Sequence, residues 1–274
     1  MSHSPLPWPV DAHVHFHALE RVAPTLDAAA ENFSAAAGGG RKCAHGALLL
    51  VQSSSERVFE TVRGLSSVGA WQLSPALAEV QTVVARRDET CLAVICGRQV
   101  RASDGLEVLA LGTCEEFPDG LPFADIVSSV CRSGAITVVP WGFGKWLGGR
   151  GRRMKAVLQA TGREALYVGD NGSRLEALGV PAGVRTLEQR GFRVLPGTDP
   201  FPFGADHRRV GSLGFMTNAE FDEAAPWRRL QAWLNDQSAS PPPYGRGSSP
   251  IRFVVNQVGI HLYKAAASRR EGRA

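Results

Sequence analysis

The chain has 274 residues, of which 44% are hydrophobic and 20% are charged, and its formal net charge is +4. This composition is typical of a soluble globular protein with a substantial core, and so small a positive charge is no argument for a nucleic-acid partner. The longest apolar run is far too short to span a membrane.

The cysteines and the N-terminus favour a cytoplasmic protein. There are five cysteines, an odd number with no C-x-x-C pair, and most lie inside apolar runs. Such residues are typical of small buried hydrophobes in a reducing compartment. The N-terminus lacks a basic segment followed by an apolar one, so it does not predict a signal peptide.

The first part of the chain predicts an α/β pattern. A strand over Val10–Phe16 precedes an alanine-rich helix over Thr25–Ala37. Ala47–Val51 is apolar throughout, which predicts a strand buried on both faces. The serines that follow it, with Glu56, predict the N-cap of a helix that runs to about Arg63.

The remaining elements continue the alternation after one irregular stretch. Thr90–Cys96 and Leu106–Leu111 predict strands that are joined across a turn at Ala102–Gly105. The later predictions are, in order, a helix over Leu121–Arg132, a strand over Ala135–Val139, a helix over Arg152–Thr161, a strand over Ala165–Val168, a helix that ends at Leu187–Arg190, a strand over Phe192–Leu195 and a helix over Pro226–Asp236.

Strands that alternate with helices predict a mostly parallel sheet, and this number of units favours closure into a barrel. We therefore expect a barrel domain over residues 8–236. Residues 237–274 are expected to form a proline-rich loop, a final strand within Ile251–Leu262 and a basic tail.

The first strand carries the main chemical signal. Alternate residues of a strand share a face, so Asp11, His13 and His15 are predicted to point to one side. Two imidazoles at this spacing can ligate one metal ion. The alternatives are a chance pair, or two hydrogen-bonded histidines at a strand end.

Reactive groups of α/β barrels gather at the carboxyl ends of the strands. Barrel closure would bring Asp199, after the last strand, opposite His13 and His15; two imidazoles and one carboxylate leave an open position on a divalent ion. The other candidates at these ends and in nearby loops are Arg98, Gln99, Trp141, Lys145, Asp170 and His207. Each has a structural alternative: Asp199 and Asp170 suit turns, Trp141 suits packing, Lys145 suits the surface, and a lone loop histidine is usually not a ligand.

Several segments, in order, resemble the PHP family, named for polymerase and histidinol phosphatase. Residues 10–15 are similar to its opening Asp-x-His-x-His strand, and residues 97–100 with 105–112 are similar to its Gly-x-Glu strand and hairpin partner. Residues 136–141 lie where the family has a strand ending in His-Pro, and residues 194–199 are similar to its Gly-Ser-Asp-x-His motif. The resemblance covers roughly residues 8–215. Amidohydrolase barrels, which share the His-x-His start and a final-strand aspartate, are the closest competitor.

The resemblance implies a PHP-like distorted (β/α)7 or TIM-type barrel with a β-hairpin insertion and a short C-terminal extension. Several ligand positions of the family differ in this chain. Its Thr-Asp-His falls at Gln52–Ser54 and its glutamate at Gln99, while the histidine of its His-Pro falls at Val139 and the histidine two residues after its last aspartate at Phe201. His13, His15 and Asp199 remain for one divalent ion of zinc, manganese or iron.

Two functions follow from this reading. The first is a metal-dependent hydrolase that cleaves a phosphoester, or a C–N or C–O bond, through a metal-activated water. Asp199 would hold the ion, Gln99 would orient the substrate or a water, and Lys145 would neutralise charge. A small anionic substrate would contact Arg98, Trp141, Asp170 or His207. The second is a non-catalytic barrel that binds a phosphorylated or sugar ligand or a protein partner.

Overall fold

The computed structural model describes residues 6–38, 43–142, 146, 148–172, 174, 176, 179–247, 249, 255–256 and 259. Lys145 and nearly all of the predicted final strand lie outside the described residues. The first part of the described chain forms strands β1 (Trp8–Val14), β2 (His45–Leu50), β3 (Ser67–Val68), β4 (Trp71–Pro75), β5 (Thr82–Arg87) and β6 (Thr90–Ile95), with helices α1 (Val22–Ala36) and α2 (Val58–Arg63).

The second part forms strands β7 (Gly97–Arg101), β8 (Glu107–Leu111), β9 (Ile136–Pro140), β10 (Leu166–Asn171), β11 (Arg193–Gly197), β12 (Leu213–Thr217) and β13 (Pro243–Gly245). Its helices are α3 (Phe123–Ser133), α4 (Gly148–Thr161), α5 (Ala182–Gln189) and α6 (Pro226–Asp236). Short 3-10 turns lie at Leu19–Arg21 and Asp206–Arg209. Within the described ranges, none of the helices is both long and apolar enough to cross a membrane.

The strands form two mixed sheets. The first has eight strands in the order β13-β12-β1-β2-β6-β5-β4-β3, and the second has five in the order β11-β10-β9-β8-β7. Parallel pairing is confined to β1-β2-β6 in the first sheet and to β9-β10-β11 in the second. The first sheet is antiparallel on both sides of this parallel core, whereas the second is antiparallel only in its β9-β8 and β8-β7 pairs.

The predicted barrel, whether PHP-like or TIM-type, is wrong. A closed βα barrel needs a continuous ladder of parallel strands, whereas these sheets are open and partly antiparallel. Where the sheets approach each other, the described residues form isolated connections instead of a ladder. One is a bridge between Gln52 and Arg98, and another is a hydrogen bond of 2.8 Å from Asp199 N to His13 O.

The predicted hairpin has a different first strand. The turn at Ala102–Gly105 is present, and Gly105 has a φ of +78°, but it joins β7 to β8. Residues 90–95 instead form β6, which pairs with β2 and β5 in the other sheet. The chain therefore passes from one sheet to the other between Ile95 and Gly97.

Three apolar clusters define the layers. One lies between the first sheet and helices α1 and α2, and includes Leu26, Leu48 and Trp71. A second lies between the second sheet and helices α3, α4 and α5. The third contains buried residues of both sheets, such as Leu49 and Leu195, together with α6. The two sheets thus share a central core, and the carboxyl ends of β1, β2, β10 and β11 lie where the two sheets meet.

Candidate metal centre

The predicted site residues of the first and last parallel strands lie together. His13 is near the end of β1, His15 follows that strand, and Asp199 comes two residues after β11. The strands approach closely because β11 ends in a glycine: a Cβ on Gly197 would lie 2.3 Å from the His13 nitrogen. Asp199 then turns back with a φ of +47° and donates its N–H to His13 O.

One carboxylate oxygen faces both imidazoles. Asp199 Oδ1 lies 3.4 Å from His13 Nε2 and 3.7 Å from His15 Nε2. Ligand atoms about 2.0–2.2 Å from a tetrahedral ion lie about 3.3–3.6 Å from one another, so these separations approach those of a metal site. The other oxygen, Oδ2, accepts a hydrogen bond of 2.9 Å from Asn171 Nδ2, which orients the carboxylate.

Two buried imidazole nitrogens fit a cation better than a hydrogen bond. Within the described part of the chain, His13 Nε2 and His15 Nδ1 have no hydrogen-bond partner. A buried polar nitrogen without a partner is costly, and a metal ion would satisfy it. The donor set of neutral imidazole and carboxylate suits zinc and similar divalent ions.

Asp11 does not join this ligand group, although it lies on the same strand. Its carboxylate is fully buried and accepts hydrogen bonds from Thr198 N, Thr198 Oγ1 and Gly211 N at 2.6–2.9 Å. Burial raises the pKa of Asp11 to about 6, and these hydrogen bonds oppose the rise. Asp11 therefore ties β1 to the turn that carries Asp199.

A second group of ligand-type atoms adjoins the first. His15, His17 and Glu56 have ligand atoms within 4.8 Å of one another, as do His13, His15 and Asp199. Glu56 Oε1 lies 3.5 Å from His17 Nδ1, and Glu56 Oε2 lies 4.0 Å from His15 Nδ1. His15 therefore belongs to both groups.

The protonation states of these groups suit metal binding. Burial, together with the neighbouring His13 and His17, lowers the pKa of His15 to about 3 although Asp199 and Glu56 oppose this, so the ring is neutral at physiological pH. Burial alone would raise the pKa of Glu56, but its contacts with His17 and His15 and the Ser53 N–H hold that pKa at about 2. Neutral imidazoles and ionised carboxylates are the forms that bind metals.

Gln99 and Arg98 lie beside a different cavity. Both line a small cavity of about 40 Å³ with Gln52 and Ser54. Arg98 is buried; its Nη2 lies 2.7 Å from Glu60 Oε1 and also donates to Cys114 O. Neither residue is in the two histidine–carboxylate groups.

The remaining candidates are also separate from these groups. Asp170 is buried at the end of β10 and pairs with Arg174 Nε at 2.7 Å; burial raises its pKa, and Arg174 opposes this. Trp141 is half-buried against the core beneath the second sheet. His207 lies in a 3-10 turn with its Nδ1 3.4 Å from Arg21 Nη1.

Glu56 is the site residue that the sequence reasoning missed. The serine run was interpreted as a helix N-cap, but α2 begins only at Val58, and its N-cap residue, Arg57, makes no capping hydrogen bond through its side chain. Residues 53–56 instead form a turn in which Glu56 Oε2 accepts the Ser53 N–H at 2.8 Å. Its position in the loop that follows β2, the parallel neighbour of β1, was the available signal.

Two solved structures have a fold similar to that of this chain. PsfC from Pseudomonas syringae PB-5123 matches with a TM-score of 0.56 and 11% identity, over 95% of this chain and 99% of PsfC. The lesion-specific endonuclease PfuEndoQ from Pyrococcus furiosus matches with a TM-score of 0.51 and 11% identity, over 88% of this chain. The chain spans 57% of the length of PfuEndoQ. Such low identity shows a shared fold alone.

No family model matches the chain, and no curated protein matches it. The resemblance to the PHP family therefore has no support at the level of a family. What the comparisons establish is an α/β fold shared with PsfC and PfuEndoQ.

Proposed function

We propose that this chain is a metal-dependent hydrolase that cleaves a phosphoester, with a divalent ion of zinc, manganese or iron held by His13, His15 and Asp199. The observation that carries the proposal is the convergence of two imidazole nitrogens on one carboxylate oxygen, at 3.4 and 3.7 Å. The proposal is also supported by the buried His13 Nε2, which has no hydrogen-bond partner among the described residues. The shared fold with an endonuclease, which is by definition a phosphodiester hydrolase, favours a phosphoester over a C–N or C–O bond.

The ion would supply a water of lowered pKa and would polarise a phosphoryl oxygen. The surrounding residues position the Asp199 carboxylate. Asn171 fixes the Asp199 carboxylate through Oδ2, which leaves Oδ1 directed at the imidazoles. The bonds of Asp11 to Thr198 hold the Asp199 turn against β1. Gln99 and Arg98 are proposed to contact the substrate from the separate small cavity that they line with Gln52 and Ser54.

The test is metal content and hydrolysis of generic substrates. Protein purified without chelator is expected to contain a divalent metal and to hydrolyse p-nitrophenyl phosphate or bis-p-nitrophenyl phosphate. Asp199→Asn removes the charge that faces both imidazoles. It should lower kcat/KM by more than the roughly 10- to 100-fold typical of losing a residue that only orients a ligand.

A matched control separates this effect from general damage. His45→Gln changes a histidine at the start of β2, outside both histidine–carboxylate groups, and should keep both metal and activity. A wild-type protein that takes up no divalent metal, or an Asp199→Asn variant of unchanged activity, would overturn the proposal.

A further inference from the structure

We propose that the site takes a second divalent cation, held by His15, His17 and Glu56, so that the His15 ring lies between two metal positions. This inference rests on the proposed function, because it adds an ion beside the one at His13, His15 and Asp199. Neither His17 nor Glu56 belongs to a segment that carried the family resemblance.

The first argument is the tautomer of His17. Its Nε2 lies 2.8 Å from Pro200 O, and a carbonyl oxygen can only accept, so Nε2 carries the hydrogen. In the neutral ring Nδ1 then presents a lone pair 3.5 Å from Glu56 Oε1, and a cation can take the position that a proton holds when Nδ1 donates to this carboxylate. Two electron-pair donors at this separation are what a bound cation brings together.

The second argument is that Nδ1 of His15 has no hydrogen-bond partner among the described residues. Its Nδ1 is buried, and the nearest carboxylate oxygen, Glu56 Oε2, is 4.0 Å away, beyond hydrogen-bond distance. Glu56 therefore does not orient His15 by an ordinary hydrogen bond. The rings of His15 and His17 stack in nearly parallel planes with centroids 5.0 Å apart, and both direct Nδ1 towards the same carboxylate.

The third argument is that the group is held in place before any ligand arrives. The Ser53 N–H donates to Glu56 Oε2, which fixes the carboxylate above the end of β2. His17 is held by the Pro200 carbonyl and has a φ of +60°. A side chain of this size in the left-handed region is uncommon, and such backbone conformations concentrate at functional sites.

Charge balance links the second ion to the substrate. A His15 ring that binds both ions must release its remaining ring proton to solvent, so Asp199, Glu56 and this imidazolate together contribute three negative charges, which a single divalent ion would not cancel. A second divalent ion leaves the pair of positions net positive, and a positive cleft attracts an anionic phosphoester.

The experiment is a metal titration of chelator-stripped protein with Mn²⁺, followed by calorimetry and by elemental analysis after desalting. The wild type should bind two equivalents, and the EPR signal of an isolated Mn²⁺ ion should weaken as the second equivalent is added. His17→Asn and Glu56→Gln should each bind one. His15→Ala should weaken both positions by about tenfold or more, because its ring is shared.

The variants are chosen to keep the fold. Asparagine tolerates the left-handed backbone of position 17, and the glutamine amide oxygen can still accept the Ser53 N–H. Far-UV circular dichroism and thermal unfolding check each variant. His207→Asn, a histidine of a neighbouring turn outside both groups, is the matched control and should still bind two equivalents.

The outcomes separate the two proposals. One equivalent in the wild type, lost in His13→Ala and kept in His17→Asn, overturns the second position but leaves the proposed function standing. One equivalent that is kept in His13→Ala and lost in His17→Asn supports the position at His17 and overturns the ion at Asp199. A wild type that binds no Mn²⁺ overturns both.

Discussion

At the scale of single residues, identical sequence spacing produces different roles. Asp11, His13 and His15 alternate along one strand, yet the structure separates the aspartate from the histidines. Asp11 is fully buried and bonds to the Asp199 turn and to Gly211, whereas the histidines face Asp199. The periodicity of a strand specifies a face, but the neighbours that meet this face decide what each side chain binds.

Asp11→Asn should destabilise the protein. Each carboxylate oxygen of Asp11 accepts from a backbone N–H, so the amide NH₂ must face a donor in either orientation. One buried N–H then lacks an acceptor, which costs about 1–3 kcal/mol of unfolding free energy. Urea denaturation measures the loss, with Asp236→Asn, an exposed aspartate at the end of α6, as control. Equal stability of the two variants would contradict this role.

His45 should contribute to the pH dependence of stability. Its ring stacks on Phe221 with centroids 4.3 Å apart, and burial lowers its pKa below 6.5 despite the nearby Glu223. The unfolded chain therefore binds this proton at higher pH than the folded chain, so stability falls as pH drops below about 6.5. Urea denaturation of metal-free protein at pH 7.5 and 5.5 should show a larger loss for the wild type than for His45→Gln. Equal losses in the two proteins would show that His45 does not contribute to the pH dependence of stability.

At the scale of elements, the site depends on how closely β11 approaches β1. Barrel closure does not bring Asp199 to the histidines, because the described strands form two open sheets. The contact arises instead from Gly197, whose missing side chain leaves room for the backbone of His13. Asp199 therefore lies close to the histidines because the two sheets pack closely at this one point.

Gly197→Ala should therefore damage the proposed metal site. The added Cβ would lie 2.3 Å from His13 N and 2.6 Å from His13 Cβ, so the two strands must separate. We expect the affinity for Mn²⁺ to fall by about tenfold or more, with a loss of roughly 1–3 kcal/mol in stability from overpacking. Gly64→Ala is the control, because its Cβ would meet its nearest neighbour, Thr61 O, at an ordinary 3.4 Å. Calorimetry that shows unchanged affinity in Gly197→Ala would contradict the packing argument.

The sequence predicted individual elements better than their arrangement. The helix predicted at Pro226–Asp236 matches α6 residue for residue, and the apolar runs at Ala47–Val51 and Ala135–Val139 correspond to β2 and β9. Strand partners were not predictable, because an apolar run such as Thr90–Ile95 fits a parallel or an antiparallel neighbour equally well. Glu56 was missed for a similar reason, since a turn and a helix cap share their residue preferences.

At the scale of the whole molecule, the two sheets share one apolar core, so we expect them to unfold as one cooperative unit. Their facing sides share a core that includes Leu49 from β2, Leu109 from β8 and Leu195 from β11, and α6 packs against it through Leu230. The few backbone connections between the sheets could not hold them together, so this apolar contact must. The proposed metal centre depends on that core, because the residues that would hold the ion come from the ends of strands in both sheets.

Leu195→Ala tests this coupling. The side chain is 2% exposed, so its truncation should cost about 2–5 kcal/mol. Because the core is shared, native-state hydrogen exchange should show an equal loss of protection in β6 of the first sheet and β9 of the second. Leu121→Ala, whose side chain is 39% exposed, should leave both unchanged. Protection lost from β9 alone would mean that the sheets unfold separately, and metal binding would then have to supply the coupling between them.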